Sequence, residues 1–394
     1  MSAPMLTSER LQAATAWFDE NFRTRGDLGA SVCVWEKGRE VLSLARGHTD
    51  RARLHEWTAQ TLVPVWSATK GPAALSCLLA LAEAALPLES EVAEVWPEFV
   101  GGGKEWVTFR HLLTHTAGLC ALDERVPIFD YDAVIAALEQ QQPLWAPGTR
   151  QGYHARTFGF LMDEIVRRVT GAESLGQYFH DTIGEALGLD FWIGLPREQW
   201  ERVSPIYPGK ISVAAADQAF LRAFGTPGSL TLRTFQSPFG LNAVSDFNQS
   251  EMWARGYASM GGVGSAAGLA RFYALLAGGG RWEGRQIVSE GIIQQFMSSL
   301  SQQEDAVLLT PISFGAGVMH DPVDLDPESP GQGRKLRQHF GTAKSAFGHP
   351  GAGGSLAFAD PENGVSFAYV MNQMETSALP GEKVQGIVRA LYGI

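Results

Sequence analysis

The chain has 394 residues, of which 45% are hydrophobic and 19% charged. This length is sufficient for two or three domain-sized units or for one elaborate α/β unit with a large core. The formal net charge of −11 argues against a nucleic-acid partner, because a polyanion would be repelled.

The first elements in the chain are a helix and a hairpin. Residues 8–24 repeat apolar side chains at helical spacing, with Leu11, Ala14 and Phe18 on one face. Two runs rich in β-branched and aromatic residues follow, at 30–35 and 41–45, and a tight turn at 36–39 joins them. We therefore predict one amphipathic helix followed by a β-hairpin.

The stretch around Ser67 indicates a nucleophile. Lys70 is the only charged residue between Glu56 and Glu83, and the helix predicted after it, ending at Pro87, is apolar around its whole circumference. Ser67 and Lys70 are three residues apart and share a face of that helix. Apolar surroundings lower the pKa of a lysine, so Lys70 can act as a base towards the Ser67 hydroxyl. In the alternative reading, Ser67 caps the helix and Lys70 reaches out to water.

The middle of the chain is predicted to be mostly helical. His111 and His115 have the i, i+4 spacing of a zinc half-site, but no glutamate follows His111 and no third ligand is evident, so no metal is expected. Tyr153 is predicted to begin an amphipathic helix that Gly171 ends. A further helix is predicted over 181–188. Residues 197–260 show no clear period, which is typical of pocket walls or lids.

The last third returns to strands. We predict helices at 266–276, 291–297 and 381–392, strands at 312–318, 354–359 and 365–371, and a loop over 321–344. Strands therefore cluster at the two ends of the chain. We predict an α/β domain formed by 1–65 and 255–394 and a mostly helical domain formed by 66–254, with the active site in the cleft between them.

Cysteine usage and hydropathy indicate a compartment. Cys33, Cys77 and Cys120 are an odd number and lie among apolar neighbours, which favours core residues of a reducing compartment over disulfides. The N-terminus lacks the apolar core of a signal peptide, and no run is long enough to span a bilayer. A soluble cytoplasmic protein with no membrane partner is the expectation, and its oligomeric state is left open.

Six short motifs in this order resemble the serine β-lactamase/penicillin-binding-protein superfamily, and within it the family VIII carboxylesterases. They span most of the chain, and their shared order is more specific than any one of them. The motifs are Ser67-Ala68-Thr69-Lys70, Trp96-Pro97-Glu98-Phe99, residues 110–119, Pro147-Gly148-Thr149 before Tyr153, Leu187-Gly188-Leu189-Asp190 and Phe347-Gly348-His349-Pro350-Gly351. The final hairpin around residues 358–361 also fits.

The resemblance implies an α+β, β-lactamase/transpeptidase-like fold whose antiparallel sheet is built from both chain ends and flanked by helices. It makes Ser67 the acylated nucleophile, Lys70 its base and Tyr153 the proton shuttle. It implies an oxyanion hole formed by the backbone N–H groups of Ser67 and Ala352. It also implies that His349, Gly351 and Trp66 contact the substrate. No cofactor is implied.

The chain departs from the family pattern at two positions. Ala155 stands where a Y-x-N element has asparagine, and Pro350 stands where K-T-G has threonine. Both substitutions remove polar anchors for a lactam, which favours an esterase acting on a small-molecule, short-chain ester. A β-lactamase, D,D-peptidase or amidase with the same residues is the alternative, and a catalytically silent scaffold is a third reading. An α/β-hydrolase is disfavoured because the chain lacks a G-x-S-x-G elbow.

Overall fold

One eight-stranded antiparallel sheet organises the fold of this computed structural model, which describes residues 5–209, 218–377 and 379–394. Its order, β2-β1-β13-β12-β11-β10-β9-β8, joins strands from both ends of the chain. The strands are β1 (Gly29–Glu36), β2 (Arg39–Gly47), β3 (Val63–Pro64), β4 (Phe191–Ile193), β5 (Gly262–Gly264), β6 (Arg281–Trp282), β7 (Arg285–Gln286), β8 (Ser301–Glu304), β9 (Pro311–Phe314), β10 (Met319–His320), β11 (Phe347–Pro350), β12 (Leu356–Asp360) and β13 (Val365–Met371).

Thirteen α-helices lie in the described part of the chain, together with several short 3₁₀ turns. They are α1 (Ser8–Thr24), α2 (Lys70–Glu83), α3 (Phe109–Leu113), α4 (Tyr131–Gln140), α5 (Thr157–Thr170), α6 (Leu175–Phe179), α7 (Glu185–Leu187), α8 (Gln218–Phe224), α9 (Leu230–Gln236), α10 (Ser250–Arg255), α11 (Ala266–Ala277), α12 (Glu290–Met297) and α13 (Glu382–Tyr392).

Helices cover both faces of the central strands. Along β13 the side chains alternate, so the Ser366 hydroxyl donates to the Ala270 carbonyl of α11, while Tyr369 points the other way and contacts Phe18 of α1. All seven residues of β13 are buried, which explains why this strand reads as a nearly continuous apolar run. The predicted fold class, an antiparallel sheet from both chain ends with helices inserted, is confirmed.

Helix α2 lies inside the protein, as its sequence indicates. Eleven of its fourteen residues are buried, including Lys70 at its first position. It packs against α5, α6 and strand β11, so the segment after Ser67 is held on several sides. The three cysteines are also buried and free, as predicted.

Several predicted boundaries were wrong. The helix expected at 181 begins at Leu175, where the Ser174 hydroxyl accepts the Gln177 N–H, and it continues through a π-helical turn at His180–Gly184. Part of the irregular region 197–260 forms short helices, including α8, α9 and α10, which are too short for a period to be visible. Residues 210–217 of that region lie outside the described residues.

The division into two domains stays a prediction. The eight-stranded sheet takes its strands from residues 29–47 and 301–371, and a separate three-stranded sheet, β3-β5-β4, joins the segment before Ser67 to residues 191–193 and 262–264. None of the described helices is long and apolar enough to cross a membrane.

Candidate active site

The segment carrying Ser67 is a tight turn fixed by β-strands. Ser67 begins a 3₁₀ turn, Ser67–Thr69, that leads directly into α2, and its side chain is half-buried. The preceding Trp66 has φ 53°, a conformation that is rare for a bulky residue and is found where the surrounding structure imposes it. Here β5 imposes it, because Val65 N–H donates to the Gly262 carbonyl at 3.0 Å and Gly262 N–H donates to Thr69 Oγ1 at 2.9 Å.

Lys70 is a buried amine whose polar contacts are backbone carbonyls. It is fully buried, and Nζ donates to the Ala155 carbonyl at 3.0 Å and the Ser259 carbonyl at 2.8 Å. Burial alone lowers the pKa of Lys70 well below its ordinary value, since no carboxylate compensates. A neutral amine has two N–H groups, which these two carbonyls satisfy. Its lone pair is then free to accept a proton from a hydroxyl one turn away.

Tyr153 lies beside both Ser67 and Lys70. It is buried, its hydroxyl is near enough to the Ser67 side chain for Ser67 to lower its pKa, and Lys70 Nζ lies 4.7 Å from the centre of its ring. Burial raises the pKa of the Tyr153 hydroxyl, and the charge of Asp305 raises it further, whereas the Ser67 side chain lowers it. The residue is therefore a neutral phenol at neutral pH and can donate a proton.

Tyr153 does not begin a helix, contrary to the prediction. Helix α5 starts four residues later, at Thr157, because side chains from distant segments hold the backbone before it. Tyr153 N–H donates to Asp305 Oδ1 at 3.1 Å, and His154 N–H donates to His115 Nδ1 at 3.0 Å.

Asp305 is a site residue that the sequence analysis missed. Its buried Oδ1 accepts N–H groups from Tyr153, Val307 and Leu308 at 3.1, 2.9 and 2.8 Å. Burial raises the pKa of this carboxyl, while the backbone hydrogen bonds oppose that shift. No motif marks Asp305, because it acts on a residue 152 positions earlier in the chain. It positions Tyr153 rather than touching Ser67.

The two histidines with i, i+4 spacing, His111 and His115, accept backbone N–H groups. His111 Nδ1 accepts the Thr108 N–H at 3.2 Å and completes the cap of α3. His115 packs its ring 4.4 Å from that of Phe314, and His154 Nε2 accepts the Leu119 N–H at 3.0 Å. Among the described residues, no group of three or more His, Cys, Asp or Glu side chains could hold a metal ion.

The end of β11 approaches the segment before Ser67. A side chain on Gly351 would place its Cβ 2.1 Å from the Val65 carbonyl oxygen, so only glycine allows this contact. Ala352 follows directly. Neither the Ser67 N–H nor the Ala352 N–H donates a backbone hydrogen bond within the described chain. The predicted oxyanion donors therefore follow two segments that contact each other, Val65 and Gly351.

His349 and Trp66 flank this centre. His349 is fully buried on β11, and its ring centre lies 5.9 Å from that of Tyr153. Trp66 packs against Phe247, with ring centres 3.7 Å apart and ring planes tilted by 35°. Phe247 belongs to the region expected to form pocket walls, and Arg156 holds that region by donating to the Pro238 and Leu241 carbonyls.

A cavity of about 1340 Å³ is lined by none of the candidate catalytic residues Ser67, Lys70 and Tyr153. Two of its lining residues contact the neighbours of site residues. Leu308 donates its N–H to Asp305, and Met374 lies where a side chain on Gly353 would meet it at 2.5 Å.

Known proteins are similar to this chain over nearly its full length. A family model described as Beta-lactamase matches residues 18–389. The "Esterase/beta-lactamase LipL" of Mycobacterium tuberculosis (strain ATCC 25618 / H37Rv) is 30% identical over 364 residues, which are 91% of this chain and 80% of LipL.

Two solved structures are similar over 98% of this chain and 98% of their own. One is described as a family VIII carboxylesterase, with a TM-score of 0.85 and 30% identity. The other is described as a novel penicillin-binding protein homolog from Caulobacter crescentus, with a TM-score of 0.82 and 34% identity. The predicted resemblance is confirmed, and the chain belongs to the beta-lactamase family.

Proposed function

We propose that the protein is a serine carboxylesterase that cleaves short-chain esters through an acyl-enzyme at Ser67. The observation that carries this proposal is the buried Lys70 amine, which donates to two carbonyl oxygens, lies three residues after Ser67 and is 4.7 Å from the ring centre of Tyr153. Similarity to LipL and to a family VIII carboxylesterase supports ester hydrolysis.

Acylation uses these groups in sequence. Lys70 accepts the Ser67 proton as Oγ attacks the ester carbonyl carbon, and the N–H groups of Ser67 and Ala352 bind the resulting oxyanion. When the tetrahedral intermediate collapses, the C–O bond to the alcohol breaks and Tyr153 donates its proton to the leaving oxygen. The Lys70 ammonium returns a proton to Tyr153. Water then attacks the acyl-enzyme with the same groups and releases the acid and free Ser67.

A β-lactamase or D,D-peptidase is the second candidate, because the family includes both lactam and ester chemistry and the solved penicillin-binding protein homolog is 34% identical. The chain itself favours the ester. Ala155 contributes only its backbone carbonyl to the site, where it accepts from Lys70, so it has no side-chain amide for a lactam. Pro350 has neither a hydroxyl nor a backbone N–H.

The proposal is tested by measuring turnover of p-nitrophenyl butyrate and of a chromogenic cephalosporin by the same preparation. We expect ester hydrolysis with kcat/KM at least about 100-fold above that for the cephalosporin, since two polar anchors are missing. Faster cephalosporin cleavage would make the lactamase or peptidase the better assignment. Turnover of neither substrate would favour the silent scaffold.

Tyr153→Phe is expected to lower kcat by about 10²- to 10⁴-fold on an alkyl butyrate, because the leaving alkoxide loses its proton donor. The loss should be smaller on p-nitrophenyl butyrate, whose leaving group needs little protonation. Tyr273→Phe is the matched control. Tyr273 is also fully buried, with no hydrogen-bond partner for its hydroxyl among the described residues. Equal losses on both esters would contradict the proton-donor role.

The compartment proposed is the cytoplasm, on the basis of three buried free thiols. Burial raises the pKa of Cys33, Cys77 and Cys120 to about 12, so these thiols are unreactive and serve as small core residues. The proposed partner is the small-molecule ester itself.

A further inference from the structure

His349 presents an unpaired acceptor nitrogen at the site. Its Nδ1 lies 2.7 Å from the Pro350 carbonyl oxygen. Because a carbonyl oxygen only accepts hydrogen bonds, Nδ1 must carry the proton and donate it. In the neutral ring the lone pair is then on Nε2, and this buried atom has no hydrogen-bond partner in the part of the chain that the structure describes.

The surroundings keep this ring uncharged. A second proton would create a fully buried imidazolium, and none of the charges acting on His349 is a carboxylate. Burial, followed by the charge of Lys70, lowers the pKa of His349 to about 3. The other titratable groups around it, Tyr153 and His115, carry no negative charge at neutral pH. His349 is therefore a neutral acceptor and not a cation.

The position of His349 relates it to one part of the substrate. Its ring packs beside Tyr153, which is proposed to protonate the leaving alcohol. In the proposed mechanism the leaving alcohol lies next to Tyr153, and His349 packs beside that residue. A carboxylate on that alcohol would lose its hydration. It would face the lone pair of His349 Nε2, whereas a buried carboxylate is stabilised only by a hydrogen-bond donor or a positive charge.

We propose that His349 determines substrate specificity and restricts the site to esters whose alcohol part is uncharged. This inference rests on the proposed esterase function and specifies its substrate class. It identifies an electrostatic cause, beyond the missing side chains at Ala155 and Pro350, for rejecting substrates that carry a carboxylate next to the scissile bond.

Two butyrate esters of nearly identical shape test the inference. One is formed with 3-hydroxybenzamide and the other with 3-hydroxybenzoate, so the alcohol parts differ mainly in charge. Rates are divided by those of alkaline hydrolysis to remove the difference in leaving-group reactivity. We expect wild-type kcat/KM to favour the carboxamide ester by at least about tenfold, since an unpaired desolvated charge is costly.

Substitutions at His349 assign the preference to this side chain. His349→Lys places a cation on β11, and we expect the carboxamide-to-carboxylate ratio to fall by at least about tenfold. His349→Gln stays neutral and should keep the preference. His180→Lys, at a partly exposed histidine outside the site, is the matched control and should leave the ratio unchanged. Thermal melts establish which variants fold. If the His349→Lys variant does not fold, the wild-type carboxamide-to-carboxylate ratio alone tests the inference.

Three results would overturn the inference. The first is wild-type hydrolysis of both esters at normalised rates within about twofold. The second is a relative rate for the carboxylate ester that rises as the pH is lowered from 8 to 6, which would show His349 gaining a proton. The third is a folded His349→Lys variant with an unchanged ratio. Absence of Ser67-dependent hydrolysis of either ester would instead refute the proposed function.

Discussion

Ser67→Ala is expected to abolish ester turnover, with kcat falling by more than about 10⁴-fold while the protein stays folded. Removing the nucleophile removes the covalent route, and the oxyanion donors alone leave only a small residual rate. The change deletes one oxygen from a half-buried side chain that caps no helix, so we expect the melting temperature to change little.

The measurement combines kinetics with mass spectrometry. Wild type treated with a fluorophosphonate should gain one adduct on the peptide containing Ser67, and Ser67→Ala should gain none. Ser76→Ala is the matched control, since Ser76 lies buried on α2, nine residues from Ser67, with its hydroxyl donating to the Pro72 carbonyl. Substantial turnover by folded Ser67→Ala would place the nucleophile elsewhere.

Lys70→Met is expected to lower kcat by about 10²- to 10⁴-fold, because Ser67 loses the base that accepts its proton. Methionine has nearly the same length and is apolar, so it fills the buried space without a cavity. Lys104→Met is the matched control. Lys104 is also fully buried, and its Nζ donates to the Glu139 and Gln141 carbonyls, far along the chain from Ser67.

Lys70 also makes the free energy of unfolding depend on pH, and the direction of this dependence follows from its lowered pKa. In the folded protein the pKa of Lys70 is well below its ordinary value of 10.5, so between those two pKa values the unfolded chain binds one more proton. The free energy of unfolding therefore rises with pH in that window, and Lys70 costs stability at neutral pH.

We expect the melting temperature of wild type to rise relative to that of Lys70→Met as the pH increases from about 7 to about 9.5. Parallel melting curves across this range would show that Lys70 is protonated in the folded protein. A protonated Lys70 could not act as the base that accepts the Ser67 proton. A Lys70→Met variant with near-normal kcat would exclude that role directly.

Local sequence patterns were sufficient for the helix after Ser67 and for most of the central sheet. The apolar run after Lys70 specifies a buried helix whatever surrounds it, because no face of that helix is suited to water. The strand runs at the two ends of the chain and the final hairpin likewise identify the sheet, and β13 is found at its predicted residues, 365–371. Strand β8 was missed, because Ser301–Glu304 at the sheet edge is polar and carries no strand pattern.

Tertiary structure alone decided the state of the site residues. The sequence could pair Ser67 with Lys70, because they are three residues apart. It could not show that Lys70 donates to the carbonyls of Ala155 and Ser259, which lie 85 and 189 positions further along the chain. Nor could it show that Asp305 fixes the loop of Tyr153 or that Nδ1 of His349 is the protonated nitrogen. Periodicity reports which way a side chain points along one segment, whereas protonation depends on burial and on hydrogen bonds between segments distant in sequence.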